Sequence, residues 1–124
     1  MDDNAPSKMV LVADDDDVYR GIIVAGLSRL YTTVEARCGY DAQRIIQHDR
    51  IDFALLDNDM PPGPKGSDIA IGTKRSRPDF PLAIYTGVPL TASDASRQGI
   101  KVFNKSDLDI VEQVVEYARD TIGE

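Results

Sequence analysis

Four consecutive aspartates, Asp14 to Asp17, follow the apolar run Met9-Val10-Leu11-Val12-Ala13. Two more, Asp57 and Asp59, follow Phe53-Ala54-Leu55-Leu56. Crowded carboxylates repel one another and shift toward the protonated form unless a cation compensates. A group such as Asp14, Asp15 and Asp57 is therefore intelligible as a holder of Mg2+, which takes oxygen ligands octahedrally and keeps waters or phosphate oxygens in the rest of its shell. Mn2+ accepts the same oxygen donors. An EF-hand is excluded by spacing: counting from Asp14, the fifth and sixth positions are Val18 and Tyr19, where an oxygen ligand and Gly are required. A carboxylate can also be the nucleophile of phosphoryl transfer, giving an aspartyl phosphate. Positioning and charge neutralisation then do most of the work. Thr86, with a hydroxyl for a phosphoryl oxygen, and Lys105, with a fixed positive charge, suit that chemistry.

The elements that must position these residues follow from the hydropathy pattern. Strands read at 8–13, 32–37, 52–57, 82–86 and 100–104, several as continuous apolar runs of the kind buried in parallel sheets. Between them, helical spacing spans 18–31 with Ile22, Ile23, Leu27 and Leu30 inward, and 41–49 with Ala42, Ile45 and Ile46 inward. A third helix runs to about residue 75, capped by Ser67 or Asp68, and a short one lies at 92–98. The last helix takes Ser106 as its N-cap with Asp109 three residues on, a capping-box variant. Leu108, Val111, Val115, Ala118 and Ile122 form one of its stripes, and Ile110, Val114 and Tyr117 a second. Met60-Pro61-Pro62-Gly63-Pro64-Lys65-Gly66 is a loop by composition.

Alternation of strand and helix five times implies α/β architecture: a doubly wound parallel sheet with helices on both faces. Its expected strand order is 2-1-3-4-5, with the switch point between strands one and three. Both acidic clusters then meet at the carboxyl edge of the sheet, where such folds bind ligands.

The chain of 124 residues carries 21 Asp+Glu against 14 Lys+Arg, a net charge of −7. Without the six clustered aspartates the count is 15 acidic against 14 basic. The charge is thus local, and a domain that tracks phosphate backbones by bulk charge is disfavoured. No apolar run approaches the ~20 residues of a membrane helix, and the acidic N-terminus reads as no signal peptide. With a single cysteine, Cys38, the expectation is one cytoplasmic domain over 8–124 behind a disordered tail at 1–7. Cys38 and the lone histidine, His48, read as a half-buried side chain and a surface residue.

The motifs Val12-Ala13-Asp14-Asp15, Leu55-Leu56-Asp57-Asn58-Asp59-Met60-Pro61, Gly66, Tyr85-Thr86-Gly87 and Asn104-Lys105 resemble, over residues 8–122, a response-regulator receiver domain of two-component signalling. The resemblance implies the flavodoxin-like (βα)5 fold and a role as phosphoacceptor rather than enzyme. By it Asp57 receives the phosphoryl group from the phosphohistidine of a sensor kinase or histidine phosphotransfer protein. Asp14 and Asp15 are the acidic pair, Asp15 the closer Mg2+ ligand, and the carbonyl of Asp59 completes the protein ligands. Thr86 bonds the phosphoryl group and Lys105 pairs with Asp57 or its phosphate. Tyr85 reads as a packing residue. Asp16 and Asp17 match no ligand position and read as loop and helix start.

Several positions depart from the pattern. The loop from Asp57 to Gly66 is one residue longer, and the span from Thr86 to Lys105 about three shorter. Val102 stands where a switching aromatic is usual, and its neighbour Phe103 points to the other face. Ser106 replaces the usual proline, and Val88 stands beside the phosphoryl entrance. The expectation is an output by protein contacts, to a downstream protein or an effector domain beyond this sequence, through an atypical switch. A weak homodimer through the last helix is permitted. The rival readings are a receiver-like interaction module that takes no phosphate, and a haloacid-dehalogenase-type phosphatase, whose paired aspartates have the Asp57–Asp59 spacing.

Overall fold

Residues 7–87 and 98–124 are described by a computed structural model. Five short segments become strands: β1 (Met9–Ala13), β2 (Thr32–Ala36), β3 (Phe53–Asp57), β4 (Leu82–Thr86) and β5 (Lys101–Asn104). The helices are α1 (Asp17–Leu27), α2 (Gly39–His48), α3 (Gly66–Ser76) and, after β5, α4 (Ile110–Ile122). Residues 92–97 of the short helix expected at 92–98, and Val88, lie outside the described residues, as does the tail at 1–6. Every strand pair is parallel, in the order β2-β1-β3-β4-β5, as the alternation implies. No helix among the described residues is long and apolar enough to cross a membrane.

Strand periodicity divides the core into two layers. Leu11, Ala13, Ala54, Leu56 and Ile84 face α2 and α3. Val10, Val12, Phe53, Leu55, Tyr85 and Phe103 face α1 and α4. Val102 packs against the first layer and Phe103 within the second, so the one-residue offset does place them on opposite faces. β3 and β4 are buried throughout, and this rigid centre carries Asp57 and Thr86 at its carboxyl edge.

Three local expectations are corrected. α1 ends at Leu27 rather than near Tyr31, because the amides of Leu30 and Tyr31 both turn back to the Leu27 carbonyl. Its buried face is Arg20, Ile23 and Leu27, one stripe at helical spacing, and Ile22 falls off that stripe into solvent. α3 is capped by neither Ser67 nor Asp68: Lys65 is its N-cap residue, and the Ser67 amide donates to Asn58 Oδ1 at 3.0 Å. Finally, Ser106 does not cap α4. The Asn104 side chain takes the Ser106 amide at 2.8 Å, its carbonyl takes that of Asp107, and the helix starts only at Ile110. The later start rotates the buried stripe to Ile110, Val114 and Ala118 and leaves Leu108 fully exposed.

Candidate functional site

β1 delivers Asp14 to the carboxyl edge, where the Asp14 amide still pairs with the Ala36 carbonyl at 3.0 Å. The side chain is completely buried. Oδ1 accepts from the Asp16 amide at 2.9 Å. Oδ2 accepts from the Tyr85 hydroxyl at 2.5 Å and from Lys105 Nζ at 2.9 Å. Burial alone would raise the Asp14 pKa, but the Tyr85 hydroxyl, the Asp16 amide and Lys105 outweigh it, and the carboxyl is held below its ordinary value.

Asp16 and Asp17 turn the chain into α1. Asp16 is the N-cap, accepting from the amides of Val18 and Tyr19, and Asp17 occupies the first turn, as expected of residues at a helix N-terminus. Arg20 locks the turn from below. It is almost fully buried and donates to the Asp14 carbonyl at 2.7 Å, to Glu35 Oε1 at 2.9 Å, and to Asp17. The acidic loop is thereby tied to β2 and α1 at once.

Asp57 ends β3 beside Asp14, since Ala13 and Leu56 are register partners. The chain leaves Asp57 tightly: a Cβ on residue 66 would stand 2.2 Å from the Asp57 carbonyl oxygen, which only Gly66 avoids. The Gly66 amide closes this turn on the Asn58 carbonyl at 3.1 Å. The proline-rich loop between them is pinned to the start of α2, the Gly39 amide donating to the Met60 carbonyl at 2.8 Å. Asp57 is 6% exposed. Burial, with the bond to Asp14 and its charge, pushes its pKa up to about 7 against the pull of Lys105.

Lys105 follows β5, its amide bonded to the Thr86 carbonyl at 3.0 Å. Nζ lies 3.2 Å from Asp57 Oδ1 as well as 2.9 Å from Asp14 Oδ2. It also stands over two rings, 4.6 Å from the centroid of Tyr85 and 5.0 Å from that of Tyr19. Burial would lower the ammonium pKa, but the bond to Asp14 and the charges of Asp57 and Asp14 raise it. Thr86 ends β4 nearly buried, one residue beyond the register partner of Asp57.

The structure thus brings Asp14, Asp15 and Asp57 together, with one carboxylate oxygen from each lying within 4.8 Å of the others. Asp15 is exposed and Asp57 is buried, so the group opens to solvent on one side. Three hard oxygen donors around one opening suit a divalent cation such as Mg2+. The Asp59 side chain is exposed and falls outside this group. Cys38 is half-buried and His48 exposed, as expected.

Two residues at the site were not visible as such in the sequence. Tyr85, expected only to pack, does pack, but its hydroxyl reaches Asp14. A buried tyrosine inside an apolar run needs a partner for its hydroxyl, and that was the available signal. Arg20 was foreshadowed only by its (i, i+3) spacing from Asp17.

The fold is shared with solved structures of response regulator receiver domains. Solved structures with the same fold include a CheY-like response regulator receiver domain protein from Methanospirillum hungatei JF-1, with a TM-score of 0.79 and 19% identity over 93% of this chain and 96% of that one. The response regulator TrrA of Thermotoga maritima in complex with Mg2+-BeF matches with a TM-score of 0.77 and 23% identity, over 89% and 98% of the two chains. A Burkholderia pseudomallei response regulator with a phosphorylated aspartic acid, calcium ion and citrate matches with a TM-score of 0.74 and 23% identity, over 89% of this chain and 65% of that one. No protein-family model and no curated protein matches the sequence.

Proposed function

We propose that the chain is the phosphoacceptor receiver domain of a two-component or phosphorelay response regulator. The observation that carries the reading is the placement of Asp57, with Lys105 Nζ at 3.2 Å and the carboxylates of Asp14 and Asp15 beside it. An Asp57 carboxylate oxygen attacks the phosphorus of a phosphohistidine donor. The new O–P bond forms as the N–P bond breaks, and the leaving imidazole nitrogen keeps the electron pair.

Asp57 must be ionised to attack, and the raised pKa leaves part of it protonated near neutrality in the metal-free chain. Lys105 favours the charged form. Asp15, Asp57 and the carbonyl of Asp59 would hold Mg2+, with Asp14 as the inner member of the acidic pair. The bound ion would neutralise charge on the carboxylates and on the phosphoryl oxygens. Thr86 supplies a hydroxyl to the transferred group, and Lys105 a charge to one of its oxygens. The chain catalyses only its own phosphoryl uptake and loss. Its partners are a histidine-phosphorylated donor protein and a downstream protein or effector domain.

Incubation with acetyl phosphate and MgCl2 tests this reading by mass spectrometry. The expected result is one added phosphoryl group per chain, dependent on the metal and lost in Asp57→Ala. No addition, or addition that survives in Asp57→Ala, overturns it.

A further inference from the structure

Among the described residues Tyr85 heads the fully buried side chains by size. It stands on β4 as the register partner of Asp57 and one residue before Thr86. Its ring belongs to the core layer under α1 and α4, yet its hydroxyl donates to Asp14 Oδ2 at 2.5 Å. That oxygen also accepts from Lys105 at 2.9 Å, and Lys105 in turn lies 3.2 Å from Asp57. The face of the same ring lies 4.6 Å from the Lys105 ammonium. Tyr85 therefore touches both groups that compete for, or supply, the charge beside Asp57.

The consequence follows from the supply of donors. A buried carboxylate oxygen that loses one donor binds its remaining donor more tightly. Without the Tyr85 hydroxyl, Asp14 Oδ2 would lean more heavily on Lys105, and the ammonium would be drawn toward Asp14 and away from Asp57. A carboxylate with fewer donors also keeps more of its charge for a cation at the opening. We propose that Tyr85 is a positioning residue of the acceptor site: its hydroxyl on Asp14 and its ring under the ammonium set how Lys105 divides between Asp14 and Asp57. This inference rests on the reading of Asp57 as the acceptor.

Tyr85→Phe removes the hydroxyl and keeps the packed ring. The variant should bind MgCl2 alone more tightly in calorimetry, yet take phosphate from acetyl phosphate more slowly at saturating donor and metal. Each change should be about tenfold, the low end of the scale of one hydrogen bond to a charged group. The acetyl phosphate concentration for half-maximal rate should not move. Opposite signs are the signature, because a tyrosine that only packs leaves both constants as in the wild type, and a damaged fold weakens both. Either of those results overturns the assignment.

A second measurement does not depend on the variant folding. The chain has five tyrosines and no tryptophan, so its absorption on the long-wavelength side of the phenylalanine bands is tyrosine absorption. MgCl2 alone should produce a tyrosine difference spectrum in the wild type, and Tyr19→Phe, altering a partly exposed ring, should retain it. A silent spectrum overturns the proposal. Failure of the wild type to form an acyl phosphate would instead count against the acceptor reading, while both metal measurements would still report on Tyr85.

Discussion

Lys105 Nζ stands 3.2 Å from Asp57 Oδ1 in a pocket that leaves both side chains about one-tenth exposed or less. At that depth the pair is poorly screened, and the lysine is the cation that offsets two buried carboxylates. Lys105→Met should therefore slow phosphoryl uptake by about 100-fold or more, the scale seen when a preorganised donor is removed from a reacting centre. Mg2+ affinity should hold or rise, since a competing cation is gone. Acyl phosphate formation at saturating acetyl phosphate, set beside calorimetry with MgCl2, reads both effects. A variant phosphorylated at the wild-type rate would remove Lys105 from the chemistry.

The burial of Asp57 makes stability depend on pH in a stated direction. Its pKa is raised to about 7 from the ordinary 3.8, so the folded chain binds more protons than the unfolded one between those values. Metal-free stability should accordingly fall as pH rises from about 4 to 7. Asp57→Asn abolishes that cost and should be more stable than the wild type at pH 8 by about 1–2 kcal/mol, several degrees in Tm for a domain of this size. Asp14 has the opposite sign. Its lowered pKa contributes stability present above 3.8 and lost as pH falls below it, so a loss on acidification should persist in the variant. Thermal melts in EDTA at pH 5 and pH 8 check the difference. Millimolar MgCl2 should raise the wild-type Tm most at pH 8, because a bound cation stabilises the folded state alone. Equal stability of the two proteins at pH 8 would contradict the account.

Gly66 fixes the exit from β3 by having no side chain. A Cβ there would meet the Asp57 carbonyl oxygen at 2.2 Å, and backbone cannot move aside as a flexible side chain can. Gly66→Ala should lose about 1–3 kcal/mol, even though alanine is the better helix former. The same clash would displace Asp57, so phosphorylation should fall more than stability does. Gly72→Ala is the control, because nothing lies within 4 Å of its added Cβ and helix propensity alone should stabilise it. A chemical denaturation series on the two variants separates the outcomes.

The sequence made the sheet and the site's main residues legible because both depend on short-range signals. Apolar runs ending in Asp14, Asp57 and Thr86 mark strand ends, and a parallel sheet collects strand ends on one edge. Helix starts were less legible because the capping atoms come from elsewhere. Asn58 serves the Ser67 amide across nine residues, and Asn104 takes the amide that would have begun α4 at Ser106. Tyr85 and Arg20 were hidden for a related reason. Their polar atoms meet partners outside their own elements, Asp14 for both and Glu35 for Arg20, and hydropathy periodicity reports only which face a side chain's carbon atoms take.

Arg20 gives the sharpest test of how the acidic loop is held. One buried guanidinium bonds the Asp14 carbonyl at 2.7 Å, Glu35 at 2.9 Å, and Asp17. Asp17 and Glu35 are each at least half open to water or nearly so, and their pairs with Arg20 should contribute little by themselves. The buried carbonyl is different, because it loses its donor when the side chain is cut. Arg20→Met should thus cost about 2 kcal/mol, whereas Asp17→Asn and Glu35→Gln should each cost under about 0.5 kcal/mol. Lysine has no fork and can serve the carbonyl or the carboxylates but not all three, so Arg20→Lys should fall between. Urea denaturation ranks the four variants. If Glu35→Gln proves as costly as Arg20→Met, the ion pair rather than the carbonyl holds the loop, and the Asp14–Asp15 backbone is fixed through β2 instead.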